Sequence, residues 1–194
     1  VAFKPPFLLV HDDGNNQDTL QARVNGYLQL NQNKYPAQAI HRIDYETSGL
    51  VLFCKHPFFQ AYCDKNMEEH HIKKEYIALV QGHTNYKNKK IVSNIARDRH
   101  NAKKMIIHPN GKESVSIFNT LKNYKDCSLI QVTILTGRKH QIRVQCASLN
   151  HPILNDPLYG GKKIDNTGLL LQSHHIQFND VDITCPQEKR FIRK

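Results

Sequence analysis

Between residues 91 and 135 the chain reads as a series of short strands, over 91–95, 104–107, 114–121 and 128–135. Turn signals at Pro109-Asn110-Gly111 and Asn123-Tyr124-Lys125-Asp126 separate the last three. Strands so closely joined form an antiparallel meander, and the remaining chain must pack around it. Upstream, residues 3–10 read as a loop through Lys4-Pro5-Pro6 entering a short buried strand at Phe7-Leu8-Leu9-Val10. Leu20, Val24, Tyr27 and Leu28 recur at helical spacing, predicting a helix over 18–30 capped by Asp18 or Thr19. Phe59, Cys63 and Met67 predict another over 58–70, followed by a strand over 73–80 and a basic loop over 84–90. A helix over 138–149, with Ile142, Cys146 and Leu149 on one side, precedes a Pro-rich loop at 151–160. Strands at 169–171 and 176–178 come last. Strands running together with helices inserted predict an α+β fold, and 194 residues fit one domain.

Charge is unevenly placed. Residues 51–150 hold 17 Lys+Arg against 7 Asp+Glu, which accounts for the whole net charge of +10. Within them, 87–104 carries seven basic residues, including Lys89, Lys90, Lys103 and Lys104, against Asp98 alone. Such an excess suits a phosphate-tracking surface, although a solvated lysine-rich face has the same composition. With 39% apolar and 23% charged residues, the class is soluble and globular. No apolar run approaches the roughly 18 residues of a membrane span. Five cysteines without a Cys-x-x-Cys pair read as free thiols in a reducing compartment. The twelve histidines lack metal-ligand spacing, so no metal site is expected. The chain begins at Val1 without an initiator Met or a signal-peptide layout, which fits processing or loss of an upstream domain.

The segment His41-Arg42-Ile43-Asp44-Tyr45-Glu46-Thr47-Ser48-Gly49-Leu50 sets an acid beside an arginine, then a Thr-Ser-Gly turn, then an apolar run through Cys54. A carboxylate at the mouth of a buried strand, held by the backbone and facing a cleft, is a natural nucleophile or base. On spacing alone, an Asp before a turn reads more readily as a turn or cap residue.

That segment does not stand alone. Lys74-Glu75-Tyr76, Thr136-Gly137-Arg138-Lys139-His140-Gln141-Ile142-Arg143 and the loop His151 to Gly160 follow in order. Together they resemble the RluA-type pseudouridine synthases, from Lys4-Pro5 to the 169–178 region. The resemblance implies an α+β fold with a mixed, mainly antiparallel central sheet and an active-site cleft. It also implies a single catalytic domain over 1–194, with no S4-type RNA-binding domain in this chain. The implied activity is isomerisation of uridine to pseudouridine in structured RNA, ribosomal or transfer, without metal or other cofactor. A monomer in the cytoplasm is the expected state.

In that family Asp44 corresponds to the essential aspartate, acting as nucleophile at the sugar or as base. Arg143 corresponds to the arginine that pairs with it, where residues alone allow a surface helix arginine. Tyr76 corresponds to the active-site tyrosine that stacks on uracil; a half-buried strand tyrosine is its plain reading. Arg42 is assigned to base extraction, since an enzyme acting on a base takes it out of the stack; unaided, it reads equally as a turn-stabilising cation. Ile43 stands for the usual Leu, and Leu171-Gln172-Ser173-His174 for a common Leu-His-Ala string. The competing readings are a catalytically silent RNA-binding or chaperone protein on the same scaffold, and a metal-dependent RNA-cleaving enzyme.

Overall fold

The structure is a computed structural model that describes residues 1–15 and 18–193, so residues 16, 17 and 194 of the expected 1–194 span lie outside the described residues. The four expected strands form at one side of a nine-stranded sheet, but not in meander order: the first of them lies between the second and the third. The strands of the sheet are β1 (Ala2–Lys4), β3 (Ser48–Val51), β5 (Lys73–Gln81), β6 (Lys89–Arg97), β7 (Met105–Ile107), β8 (Lys112–Asn123), β9 (Cys127–Ile134), β10 (Leu171–Phe178) and β11 (Val181–Thr184). A separate ribbon pairs β2 (Gln38–Ala39) with β4 (Phe53–Cys54). The sheet order is β1-β3-β10-β5-β9-β8-β6-β7, with β11 attached to β10. Within this sheet, among the described residues, β3 and β10 pair in parallel and the other neighbours are antiparallel.

Burial explains the centre. In β5 the run Tyr76 to Val80 is buried at every position, as a strand covered on both faces requires. Leu79, Phe118, Ile130, Val132, Ile153 and Leu170 are fully enclosed there. Each such side chain contributes about 1.5–3 kcal/mol by leaving water.

Three helices flank the sheet: α1 (Leu20–Leu30), α2 (Gln60–Glu68) and α3 (Gln141–Ser148). Thr19 caps α1, its hydroxyl accepting from the Ala22 N–H at 3.1 Å, while Asp18 pairs with Arg23. A 3₁₀ turn at Pro57–Phe59 precedes α2. Helix α3 starts three residues later than the spacing predicts and is buried on every side from Gln141 to Cys146. Its glutamines point at the sheet: Gln141 donates to Ser116 Oγ (2.9 Å) and Gln145 to Ser93 Oγ (3.1 Å). Small hydroxyls on the inner face of β8 and β6 thus let a polar helix lie flat on them.

Several boundaries differ from the sequence reading. Lys4 ends strand β1, and Phe7 to Val10 forms no strand beyond a bridge from Leu9 to Thr19. Phe7 sits at φ 61°, which turns the chain, and the segment coils around Lys4 Nζ. That ammonium donates to the carbonyls of Pro5 (2.9 Å), Leu8 (2.7 Å) and Tyr45 (3.1 Å). The basic stretch 84–90 is not wholly loop, because β8 pairs with β6 from Lys89 onward. The two final strands are one, β10, bulged between Ser173 and His175, and β11 arises in the polar tail.

Candidate active site

The segment carrying Asp44 links the ribbon to β3 and is fastened on both sides. The Thr47 N–H closes the turn onto the Asp44 carbonyl at 3.1 Å. The Phe7 and Leu169 N–H groups bind the carbonyls of Tyr45 (2.8 Å) and Glu46 (3.2 Å). Ser48 Oγ is held between Glu188 and Arg190. Gly49, at φ +114°, packs where a Cβ would run into the backbone of Ser173, so this β3–β10 contact demands glycine. The carboxylate is therefore set by backbone, with its side chain 22% exposed toward a cleft of about 560 Å³.

Asp44, Arg42, Tyr76 and Arg143 all line that cleft, from three parts of the chain. Arg143 is 5% exposed, not a surface arginine. Its Nε and Nη2 donate to the two oxygens of buried Asp156, each at 2.8 Å, and Nη1 donates to Asp44 Oδ2 at 3.0 Å. Burial by itself lowers the arginine's pKa, but hydrogen bonds and attraction from Asp156, and then Asp44, outweigh it and raise the value. The fork is thus committed to Asp156, and one N–H orients Asp44 Oδ2. Asp44 Oδ1 accepts no hydrogen bond among the described residues.

His140 completes the wall. It sits at φ 55°, a left-handed conformation costly for a side chain of this kind, immediately before α3. Its Nε2 lies 3.7 Å from Asp44 Oδ2, and its Nδ1 lies 2.8 Å from the Tyr159 hydroxyl. That hydroxyl already accepts from the Met105 N–H at 2.8 Å, leaving its proton for His140 Nδ1. The network therefore assigns the imidazole proton to Nε2, facing Asp44. Burial, with Arg143 and Lys139 nearby, drives the His140 pKa down to about 4 against the pull of Asp44. It is a neutral donor at neutral pH.

Tyr76 is buried on β5; burial pushes its phenol well up, and the charge of Asp44 adds to this. It faces the cleft as a neutral aromatic surface. Arg42 is exposed, and its side chain makes no hydrogen bond or ion pair among the described residues. His41 accepts from the Leu52 N–H at 3.1 Å, and burial, then Lys74, lower its pKa to about 3.

A sequence model of the RNA pseudouridylate synthase family matches residues 1–148. The chain belongs to that family. Among curated relatives, an uncharacterized RNA pseudouridine synthase of Bacillus subtilis is 35% identical over 161 residues, covering 81% of this chain and 53% of its own. Ribosomal large subunit pseudouridine synthase C of Buchnera aphidicola is 40% identical over 128 residues, 65% of this chain and 41% of that protein. These names place the chain with the RluA type of pseudouridine synthase. It spans about half the length of these two relatives. The solved human RNA pseudouridylate synthase domain containing 4 shares the fold at TM-score 0.79 and 19% identity, over 97% of this chain and 85% of that one.

In this member of the family the structure brings Arg42, Asp44, Tyr76 and Arg143 to one cleft and separates the four lysines. Lys89 and Lys90 begin β6, whereas Lys103 and Lys104 lie in the hairpin beyond its other end. Eight strand intervals put these pairs roughly 26 Å apart. Lys104 Nζ stands 5.6 Å from the Tyr159 ring centroid, beside the site. Asp156, His140 and Tyr159 were not assigned from the sequence. The available signal was chemical, since a buried arginine needs more than one partly exposed carboxylate.

Proposed function

We propose that this chain isomerises uridines in structured RNA, ribosomal or transfer, to pseudouridine, with the target nucleotide extruded into the Asp44 cleft. Membership in the family supports the reaction, and the arrangement of Asp44, Arg143 and Asp156 beside Tyr76 supports the roles. That arrangement is the observation that carries the reading. Arg143, locked by Asp156, holds Asp44 Oδ2 and leaves Oδ1 directed at the sugar. Oδ1 is then the oxygen that attacks C1′ or takes a sugar proton; either route releases the uracil from N1. Tyr76 supplies a neutral face for the base. Arg42, uncommitted at the cleft mouth, fills the space the base vacates and pairs with phosphate or a base edge. His140 Nε2 stands 3.7 Å from the same carboxylate as a neighbouring polar group.

Lys103 and Lys104, the latter beside Tyr159, meet the RNA backbone close to the cleft, and Lys89 and Lys90 lie farther along β6. Among the described residues no helix is long and apolar enough to cross a membrane. We place the protein in the cytoplasm as a monomeric catalytic domain, with its five free cysteines buried.

Mapping pseudouridines in RNA from cells with and without the protein tests the reading. It predicts discrete sites in ribosomal or transfer RNA that vanish with the protein. An unchanged map, with RNA still bound by the purified protein, supports instead a silent RNA-binding role.

A further inference from the structure

Two lysines are almost wholly buried, and they differ in how they are satisfied. Lys4 is 0% exposed, and its ammonium meets three carbonyl oxygens at 2.7–3.1 Å. That is a finished structural site. Lys74 is 6% exposed, yet the only acceptor its Nζ finds among the described residues is the sulfur of Met67 at 3.0 Å. Thioether sulfur is a weak acceptor, and an ammonium has three donors to place. No carboxylate lies within 4 Å of it among the described residues, and burial alone lowers its pKa to about 8. Buried charge without a partner is costly, so a group of this kind calls for an explanation.

Its position supplies one. Lys74 and Tyr76 are two residues apart on β5, so both side chains leave the same face about 6.6 Å apart. Both line the cleft that holds Asp44. The titratable groups sharing this part of the cleft are His41 and Arg42 from the motif, Glu68 and His70 at the end of α2, and Tyr76 itself. Lys74 therefore borders the space that a base lying on Tyr76 would occupy.

We propose that Lys74 is a further catalytic residue, whose ammonium group hydrogen-bonds a carbonyl oxygen of the extruded uracil and carries the negative charge the base acquires as its glycosidic bond breaks. The inference rests on the uridine-isomerase reading. When the N1–C1′ bond breaks, its electron pair leaves with the uracil, whether Asp44 bonds to C1′ or removes a sugar proton. That pair delocalises onto O2 and O4. C5 then forms the new bond to C1′, the C5 hydrogen departs as a proton, and N1 takes one up, so the sum is an isomerisation needing no co-reactant. Uracil is neutral before cleavage and anionic during it. A cation at its carbonyl edge therefore binds the transition state more tightly than the substrate. The same chemistry explains why the ammonium finds no strong partner within the protein.

The test is single-turnover tritium release from unmodified large-subunit ribosomal RNA and transfer RNA transcripts labelled at uridine C5, with RNA affinity measured in parallel. Lys74→Met removes the charge and keeps the length of the side chain against Met67. Its rate is expected to fall about 100-fold or more, the scale of losing one oxyanion donor, with affinity little changed. The wild-type rate should fall as pH rises through about 8, where the ammonium loses its proton. Lys74→Arg, which stays charged, should keep part of the rate and extend it to higher pH; it also serves if Lys74→Met does not fold. A Lys74→Met rate within threefold of wild type, or a loss confined to RNA affinity, overturns the role. Wild-type protein that releases no tritium contradicts isomerisation itself, whereas an active wild type with an unimpaired Lys74→Met contradicts only this inference.

Discussion

At the scale of single residues, the site is a chain of dependence ending at one oxygen. Asp156, 1% exposed, takes both arms of the Arg143 fork, so Arg143 offers Asp44 one directed hydrogen bond and no freedom to swing. Replacing Asp156 by Asn leaves a buried guanidinium without its main counter-charge. The expected cost is about 3 kcal/mol, which at roughly 2–4 °C per kcal/mol for a chain of this size lowers Tm by about 6–12 °C. An unchanged melting temperature would contradict the arrangement. His140 carries a pH signature. Its folded pKa of about 4 lies below the ordinary histidine value of 6.5, so the unfolded chain binds the proton more readily. This contribution to stability is whole above about pH 6.5 and is lost as pH falls toward 4. Denaturant midpoints measured across that window should fall with acid in the wild type and fall less in His140→Gln.

At the scale of elements, short connections and packing place these residues. Much of this was legible in the sequence: β6 to β9, α1, α2 and β5 lie close to where periodicity and turn residues put them, although β6 sits between β7 and β8 and the four strands are no meander. Helix α3 shows where that reading stops. Its three apolar positions predicted one buried side, but Gln141, Arg143 and Gln145 are buried too, and their N–H groups donate to Ser116, Asp156 and Ser93, all distant in sequence or outside the helix. Hydrophobic periodicity carries no information about such pairings. Similarly, Lys89 and Lys90 looked like loop residues because their pairing with Phe118 and Ile117 comes from a strand almost thirty positions away. The functional consequence concerns the basic segment. Since β6 separates its two lysine pairs, their contributions to RNA binding should separate as well. Lys103→Ala with Lys104→Ala should reduce the slope of log affinity against log salt by about 1–2, roughly one per phosphate contact. Lys89→Ala with Lys90→Ala should reduce it less. Equal slopes for both double variants would refute the placement.

At the scale of the whole molecule, one sheet unites distant parts of the chain at the cleft. Strand β10 pairs in parallel with β3 below Asp44 and antiparallel with β5 below Tyr76, while α3 lies across β8 and β6 to deliver Arg143. The Asp before a turn, unremarkable on spacing alone, becomes the convergence point of these elements. The central claim is that its carboxylate performs the bond chemistry while the scaffold alone holds the RNA. Single-turnover tritium release by Asp44→Asn, with RNA affinity and melting temperature taken on the same preparation, tests it most directly. The account predicts conversion reduced at least about 1,000-fold, the scale on which essential catalytic groups act, with affinity and fold nearly intact. Full pseudouridine formation by the purified variant would contradict it.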